Sequence, residues 1–361
     1  MSLSRRRILA GGLATATLGV AAPAAARDAD DAARTFMGLT GAPGMSVALA
    51  RDGRVRFARA WGRTGPEGAR LTPGHRLRIA SLSKPITAAA IMTLAERGRI
   101  GMGDRIFGPG SWLGETYGAA SPWAREITVE HLLSHTGGGW TNDGTDPTMR
   151  IDGLGRDRMI ARALADIPLT ARPGTRQQYS NLGYVLLGRV IEVATGEAYE
   201  TWVRRELLEP SGAGDMRIGD RTPARDESGY VSISGGPPHQ HDQRRLGAAG
   251  GWTATPTELL RLLARIDGFV GVPDSLHANT TRSMATVPYP GADFGHGWQV
   301  DGDDTWWHTG ILPGTAAFLC RTAGGYAFAA LANLGGPYTD TVEKLQRAAW
   351  AMARAQPGWR L

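Results

Sequence analysis

Two β-hairpin patterns near opposite ends of the 361-residue chain constrain its fold more than any other feature. Residues Met45 to Arg51 and Arg54 to Trp61 are apolar-rich runs joined by Asp52-Gly53, a dipeptide typical of tight hairpin turns. A second hairpin is predicted around Gly324-Gly325. Hairpins at both ends predict one antiparallel sheet that the two termini build together.

Helical patterns fill the middle of the chain. Thr255 to Glu258 has the cap, first-turn proline and glutamate of a capping box. The run from Leu182 to Ala194 is closed by Gly196, and Asp340 opens a last helix. A sheet formed by strands from both ends of the chain, with helices packed on it and a helical insert between, is an α+β architecture. We predict an active site between two subdomains: a sheet subdomain of 27–110 and 241–361, and a mainly helical subdomain of 111–240.

The first 26 residues are typical of a twin-arginine export signal. Ser4-Arg5-Arg6-Arg7-Ile8-Leu9 precedes a weakly apolar stretch, and Ala24-Ala25-Ala26 resembles a cleavage site. The stretch is too short, and too rich in small residues, for a comfortable membrane span. We expect a periplasmic or extracellular protein, cleaved after Ala26 and without a stable membrane span. An uncleaved anchor or a disordered tail is the alternative.

Composition narrows the possible partners. Removing the three leader arginines lowers the formal charge from +6 to +3, because no acid precedes Asp28. The remaining arginines are dispersed among acids, which argues against a nucleic-acid partner. Cys320 is the only cysteine, so no disulfide forms within the chain, and we expect it in the core of a strand.

Lysine is nearly absent, since Lys84 and Lys344 are the only two among 40 basic side chains. Lys84 follows Ser81 in a Ser-x-x-Lys step, and the apolar spacing before Gly98 predicts a helix that starts at Ser81. Positions i and i+3 share a helix face, which places the amine beside the hydroxyl. A lysine neutralised by burial can take the proton of a serine, whereas arginine stays charged. Ser81 and Lys84 are therefore the candidate nucleophile and base.

Two further triplets follow Ser-x-x-Lys along the chain. They are Tyr179-Ser180-Asn181 and His308-Thr309-Gly310. In this order the three motifs resemble the penicillin-recognising serine hydrolases, and specifically the class C β-lactamase-like branch with its esterases and D-peptidases. The similarity covers most of residues 36–350.

The resemblance implies a role for each site residue. Ser81 would form an acyl-enzyme with Lys84 as its base, and Tyr179 would complete the proton network. Asn181 would hold Lys84 and the acyl side chain of the substrate. The backbone N–H groups of Ser81 and Ile311 would form the oxyanion hole. The resemblance implies no cofactor and no metal.

The strand triplet departs from the family pattern. His308, Thr309 and Gly310 would contact the substrate, yet β-lactamases and most peptidoglycan enzymes of the family have lysine in place of His308. A histidine with its ordinary pKa near 6.5 is largely neutral at pH 7. A neutral histidine would bind a substrate carboxylate less strongly than a lysine does. The change therefore favours ester or amide hydrolysis.

Five other polar residues are weaker candidates. His131 and His135 are four residues apart with no glutamate between them, so they lack the spacing of zinc proteases, and we expect them to pack. His239, His241 and Asp242 could bind a metal, although we expect a solvated loop.

Three classes of function remain open. We expect an exported serine hydrolase that acts on a small-molecule ester, β-lactam or D-peptide. A true β-lactamase or D-Ala-D-Ala carboxypeptidase is the second class, and an acyltransferase or a non-catalytic cell-wall-binding module is the third. The loop tryptophans Trp112, Trp123 and Trp140 either line an apolar substrate wall or pin loops to the core.

Overall fold

A six-stranded antiparallel sheet built from both ends of the chain is the centre of the fold. The computed structural model describes residues 24–118, 121–142, 146–151, 153–234, 236–239, 242–336 and 340–360. The strands are β1 (Gly44–Arg51), β2 (Arg54–Gly62), β3 (Leu77–Arg78), β4 (Arg217–Ile218), β5 (Val231–Ser232), β6 (Trp252–Ala254), β7 (Gln299–Val300), β8 (Trp306–Leu312), β9 (Thr315–Arg321), β10 (Tyr326–Ala332) and β11 (Leu334–Gly335). The sheet order β2-β1-β10-β9-β8-β7 confirms the predicted terminal-built sheet and the α+β class.

Both predicted hairpins are present. Asp52 and Gly53 have φ angles of 51° and 72°, the left-handed conformation that a two-residue hairpin turn with the twist of its strands requires. Gly325 has a φ of 77° at the second hairpin. Strand β1 then pairs with β10 from Met45 opposite Ala332 to Arg51 opposite Tyr326, which joins the two ends of the chain.

Helices cover the sheet and fill the middle of the chain. They are α1 (Ala24–Thr40), α2 (Ser83–Glu96), α3 (Val129–Leu133), α4 (Pro147–Arg150), α5 (Arg156–Asp166), α6 (Asn181–Thr195), α7 (Tyr199–Val203), α8 (Gln243–Leu246), α9 (Pro256–Leu263), α10 (Ala278–Met284) and α11 (Thr341–Arg354). The capping box at Thr255 and Glu258 opens α9 as predicted, and Gly196 closes α6 with a φ of 75°. The predicted ends of these helices follow from local chemistry alone.

The two faces of the sheet contact different helices. On one face, Phe36 of α1 and Leu345 of α11 belong to the same buried cluster as Val47 and Phe328. Cys320 is buried in this cluster, as predicted. On the other face, α9 packs against β1 and β10, and apolar side chains of α2 belong to the same buried cluster. Helix α2 also packs against α6 of the helical middle of the chain.

Most of the predicted leader lies outside the described residues. Residues 1–23 of the predicted leader lie outside the described residues, and Ala24 to Ala26 form the first residues of α1. Helix α1 was not predicted from the sequence. The subdomain boundaries stay a prediction, and strands β4 and β5 of the middle segment pair with β6 and β11. No helix in the described ranges is long and apolar enough to cross a membrane.

Candidate active site

The turn before α2 presents Ser81. Residues Ala80 to Leu82 form a 3₁₀ turn, and Ala80 has a φ of 47°, a left-handed conformation that costs a residue with a side chain about 1 to 2 kcal/mol. The Ser83 hydroxyl donates to the Ala80 carbonyl at 2.7 Å and stabilises the turn. Ser81 is half-buried, whereas Ser83 and Lys84 are fully buried, so the Ser81 hydroxyl is the one that solvent and substrate can reach.

Lys84 donates to three oxygen atoms. Its Nζ lies 3.1 Å from Ser81 Oγ, 2.7 Å from Asn181 Oδ1 and 2.7 Å from the carbonyl oxygen of Ala249. The last two oxygens can only accept hydrogen bonds, whereas the serine hydroxyl can also donate. A neutral amine that donates its two protons to Asn181 and Ala249 therefore directs its lone pair at Ser81 Oγ. The geometry suits removal of the serine proton.

Burial lowers the pKa of the Lys84 ammonium to about 7, and the carboxylate of Asp146 opposes part of that shift. A base is most useful when its pKa lies near the working pH. Lys344, by contrast, is half-buried in α11 and pairs with Asp340 at 2.6 Å. Of the two lysines in the chain, only Lys84 is placed to act as a base.

Tyr179 lies on the other side of Ser81. Its ring centroid is 4.8 Å from Lys84 Nζ, and Ser81 is close enough to affect the pKa of its phenol. Burial raises the pKa of the phenol well above its ordinary value, so Tyr179 carries its proton at neutral pH. The ring stacks on His135 with centroids 4.4 Å apart. The phenol is therefore protonated at rest, which leaves it able to donate a proton.

Asn181 is the first residue of α6 and connects two charged groups. Ser180 caps this helix by accepting from the Gly183 backbone N–H at 3.1 Å. The Asn181 carbonyl oxygen faces Lys84, and its Nδ2 donates to Asp146 Oδ2 at 2.5 Å. Asp146 is 1% exposed, and burial raises the pKa of its carboxyl group.

Strand β8 forms the opposite side of the site. Gly310 faces the turn before Ser81, and a Cβ atom at this position would collide with the carbonyl oxygen of Ile79. Glycine is required for this close approach. In the described part of the sheet, β7 pairs only with Trp306 and Trp307, so the edge that carries Ile311 is left open toward the site. The oxyanion role of Ser81 and Ile311 stays a prediction.

His308 is buried and neutral. Its Nδ1 lies 2.6 Å from the carbonyl oxygen of Thr309, so Nδ1 carries the proton and donates it. Desolvation and the nearby Lys84 lower the pKa of the imidazole to about 3. Its ring lies 6.1 Å from that of Tyr179. The structure therefore brings the predicted residues of all three motifs together, with no ionised group at His308.

Sequence reasoning missed two residues of this site. His135 was expected only to pack, yet its ring contacts Tyr179, and its Nδ1 accepts from the Ser180 backbone N–H at 3.1 Å. Asp146 was not singled out at all. The only local signal for it was an Asp-Pro step, which marks a helix start: Asp146 caps α4. The sequence alone does not show that either residue lies at the site.

The remaining candidates lie elsewhere. His131 completes a capping box with Thr128 in α3, and His239 Nδ1 contacts Arg78 at 2.8 Å. His241 lies outside the described residues. Asp242 caps α8. Across the described ranges, no group of three or more His, Cys, Asp or Glu side chains could hold a metal ion.

Two of the three loop tryptophans anchor their loops, and a substrate wall stays a prediction. Trp112 donates to Asp104 at 3.1 Å, which pins its loop. Trp140 is buried and donates to the carbonyl oxygen of Ile167 at 3.0 Å. Trp123 is 44% exposed, and with Trp140 it lines an apolar cavity of about 470 Å³.

The chain is similar to known proteins over most of its length. The β-lactamase family profile matches residues 29–351. Penicillin-binding protein 4 of Amycolatopsis lactamdurans is 27% identical over 332 residues, which cover 84% of either chain. Protein flp of Staphylococcus aureus strain MRSA252 is 24% identical over 82% of this chain. The match spans only 60% of the length of that relative.

A solved structure supports the same fold. The D-amino acid amidase of Ochrobactrum anthropi SV3, complexed with L-phenylalanine amide, superimposes with a TM-score of 0.76. The match covers 92% of this chain and 98% of the amidase at 21% identity. At this identity the likeness establishes the fold, and the family assignment follows from the profile match.

Proposed function

Because this chain belongs to the β-lactamase family of serine hydrolases, we propose that it cleaves an ester, amide or D-peptide bond through an acyl-enzyme on Ser81. One observation carries the proposal. The Nζ of Lys84, whose pKa is lowered to about 7, lies 3.1 Å from the Ser81 hydroxyl. A serine is a weak nucleophile until such a base takes its proton.

In the acylation step, Ser81 Oγ attacks the substrate carbonyl carbon and its proton passes to Lys84. The carbonyl oxygen becomes an oxyanion, which the backbone N–H groups of Ser81 and Ile311 would stabilise. One such donor contributes about 2.7 to 4 kcal/mol in serine hydrolases. When the bond to the leaving group breaks, Tyr179 gives that group a proton and recovers one from Lys84. Lys84 is then neutral again.

Deacylation reverses these proton transfers. A water molecule loses a proton to the Tyr179 and Lys84 pair as its oxygen attacks the acyl carbon. The bond to Ser81 Oγ breaks, the proton returns to Ser81, and the acid product leaves. The same site would pass the acyl group to another acceptor if one displaced the water, which keeps acyl transfer open.

The neutral His308 supports ester, amide or D-peptide substrates over those that need a carboxylate anchor. Its pKa of about 3 leaves no cation at the position where β-lactamases have lysine. The fold likeness to a D-amino acid amidase directs the first assays to D-amino acid amides. Export, proposed from residues 4–26, would place the enzyme among cell-wall peptides.

A penicillin-binding enzyme is the second candidate. It is favoured by the similarity to penicillin-binding protein 4 over 84% of either chain. Such an enzyme would form a long-lived adduct with a β-lactam, whereas a true β-lactamase would release it rapidly. A non-catalytic wall-binding module is disfavoured, because Ser81, Lys84, Tyr179 and Asn181 are assembled within contact distance.

A substrate panel tests the proposal. Purified protein is incubated with p-nitrophenyl esters, D-phenylalanine amide, a D-alanyl-D-alanine peptide and a chromogenic cephalosporin, with Ser81→Ala as control. We expect turnover of at least one ester, amide or D-peptide that the control lacks. Rapid turnover confined to the cephalosporin would instead identify a β-lactamase. Activity that persists in Ser81→Ala would refute the acyl-enzyme.

A further inference from the structure

A buried carboxylate lies directly behind the amide that contacts Lys84. Asp146 Oδ2 accepts from Asn181 Nδ2 at 2.5 Å. Its Oδ1 accepts from the backbone N–H of Thr148 at 2.9 Å and from the Thr148 hydroxyl at 2.7 Å. Asp146 belongs to none of the three sequence motifs. Its carboxylate is held by three hydrogen bonds and 1% exposed, so its position is fixed.

The two ends of the Asn181 amide have similar shapes and opposite hydrogen-bonding roles. Its oxygen meets Lys84 Nζ, which donates, and its nitrogen meets Asp146, whose ionised carboxylate can only accept. A flipped amide would place its NH₂ group against the ammonium and its oxygen against the carboxylate. Both contacts would be repulsive, so the two neighbours together select one orientation.

Resting on the proposed function, we propose that Asp146 is a positioning residue for acylation. Through Asn181 it keeps an acceptor oxygen on Lys84, and that oxygen directs the lone pair of the neutral amine toward Ser81. Asp146 touches neither the substrate nor the reacting atoms. Asp146 acts on Lys84 in two ways. It orients the Asn181 amide by a hydrogen bond, and its negative charge stabilises the ammonium form of Lys84.

Other groups also act on Lys84 and have to be considered in any pH dependence. The titratable side chains around it are Tyr179, Tyr184, His135, His308 and Asp146. Both histidines have pKa values below their ordinary range and both tyrosines have pKa values above it, so these four are neutral at pH 7. On the far side of α4, Arg245 donates to the carbonyl oxygen of Thr148 at 2.9 Å. Asp146 is the anion of this group.

Asp146→Asn is the informative change. Asparagine caps a helix as well as aspartate, so the start of α4 is retained. Its amide can present a donor to Asn181, which permits the flipped orientation. Removing the anion also disfavours the ammonium form, so the pKa of Lys84 falls further. Asp242→Asn is the matched control, because Asp242 caps α8 by accepting from the Arg244 N–H at 2.9 Å.

The readout is the rate at which a fluorophosphonate labels Ser81 in the full chain, measured from about pH 5.5 to 9. We expect Asp146→Asn to lower the high-pH plateau on the order of tenfold and to move the rising limb to lower pH. Asp242→Asn should match the wild type. A merely structural defect would lower the plateau without moving the limb.

A double-mutant cycle tests whether Asp146 acts through Asn181. In a variant that already carries Asn181→Ala, adding Asp146→Asn should lower the plateau by less than about twofold. If Asp146→Asn proves unfolded by circular dichroism, Asp146→Ser replaces it, since serine caps α4 but is too short to hold Asn181. An unchanged plateau and limb in the Asp146 variant, or full additivity with Asn181→Ala, would overturn the inference alone. A wild type that is not labelled would overturn the proposed function as well.

Discussion

The two sides of the cleft differ in where they carry charge. The helix wall, formed by Ser81, Lys84, Tyr179 and Asn181, contains a buried lysine whose pKa is lowered to about 7. The strand wall, His308 to Ile311 of β8, contains a histidine whose pKa is lowered to about 3 and which is therefore neutral. Burial lowers the pKa of both groups. As a result Lys84 can exchange a proton near neutral pH, whereas His308 carries no charge. The proposed proton-transfer groups therefore lie on one wall, and the wall on which β-lactamases have a lysine is uncharged.

The largest expected effect is on the helix wall. Lys84→Arg keeps a positive charge but removes the base, because guanidinium does not release its proton near neutral pH. We expect acylation to fall about 10³-fold, which corresponds to about 4 kcal/mol. Stopped-flow measurement with a p-nitrophenyl ester checks this, and Lys344→Arg in α11 is the matched control. Acylation retained within about threefold would exclude Lys84 as the base.

The next effect concerns the proton relay. Tyr179→Phe keeps the ring that stacks on His135 and removes only the hydroxyl. We expect a loss of about 10²-fold in kcat/KM, typical of one general acid. The loss should be smaller for a p-nitrophenyl ester than for an amide, because nitrophenolate leaves without a proton. Equal losses for both substrates would count against the role of Tyr179 as proton donor.

The pH dependence distinguishes the two walls directly. Lys84 acts when it is neutral, so the acylation rate should rise as pH increases through about 7 and level off above it. Between about pH 6 and 8 the expected increase is about tenfold. His308 stays neutral throughout and adds no ionisation near 6.5. A rate that falls as pH rises through 7 would reverse the assignment of the base.

An effect no larger than the pH effect is expected on the strand wall. His308→Lys restores a cation beside Tyr179, and His308→Gln is the neutral control. We expect the ratio of acylation rates for a carboxylate-bearing cephalosporin over a neutral ester to rise about tenfold in the lysine variant. The glutamine variant should keep the wild-type ratio. An unchanged ratio in a folded lysine variant would show that His308 does not determine the charge preference.

The sequence predicted the features of the fold that depend on local chemistry. The Asp52-Gly53 turn, the capping box at Thr255 and the pairing of Ser81 with Lys84 each follow from residues within a few positions of one another. Helix α1 was missed, because its apolar side packs against α11 from the other end of the chain. An isolated stretch of sequence does not reveal such a partner.

The same limit applies to the candidate site. His135 meets Tyr179 across 44 positions, and Asp146 meets Asn181 across 35. Their contribution comes from this placement and from burial, which raises the pKa of Asp146 and lowers that of His135. The spacing of His131 and His135 predicted packing, and no sequence pattern singled out Asp146. Neither contact at the site could be predicted from residues so far apart in the chain.

The most direct test of the account is the location and base dependence of a covalent adduct. The wild type, Ser81→Ala and Lys84→Arg are incubated with a fluorophosphonate and analysed by intact-protein mass spectrometry and peptide mapping. The account predicts a single adduct on Ser81 in the wild type, none in Ser81→Ala and strongly slowed labelling in Lys84→Arg. An adduct on a different residue, or equally fast labelling of Ser81 in the lysine variant, would contradict it.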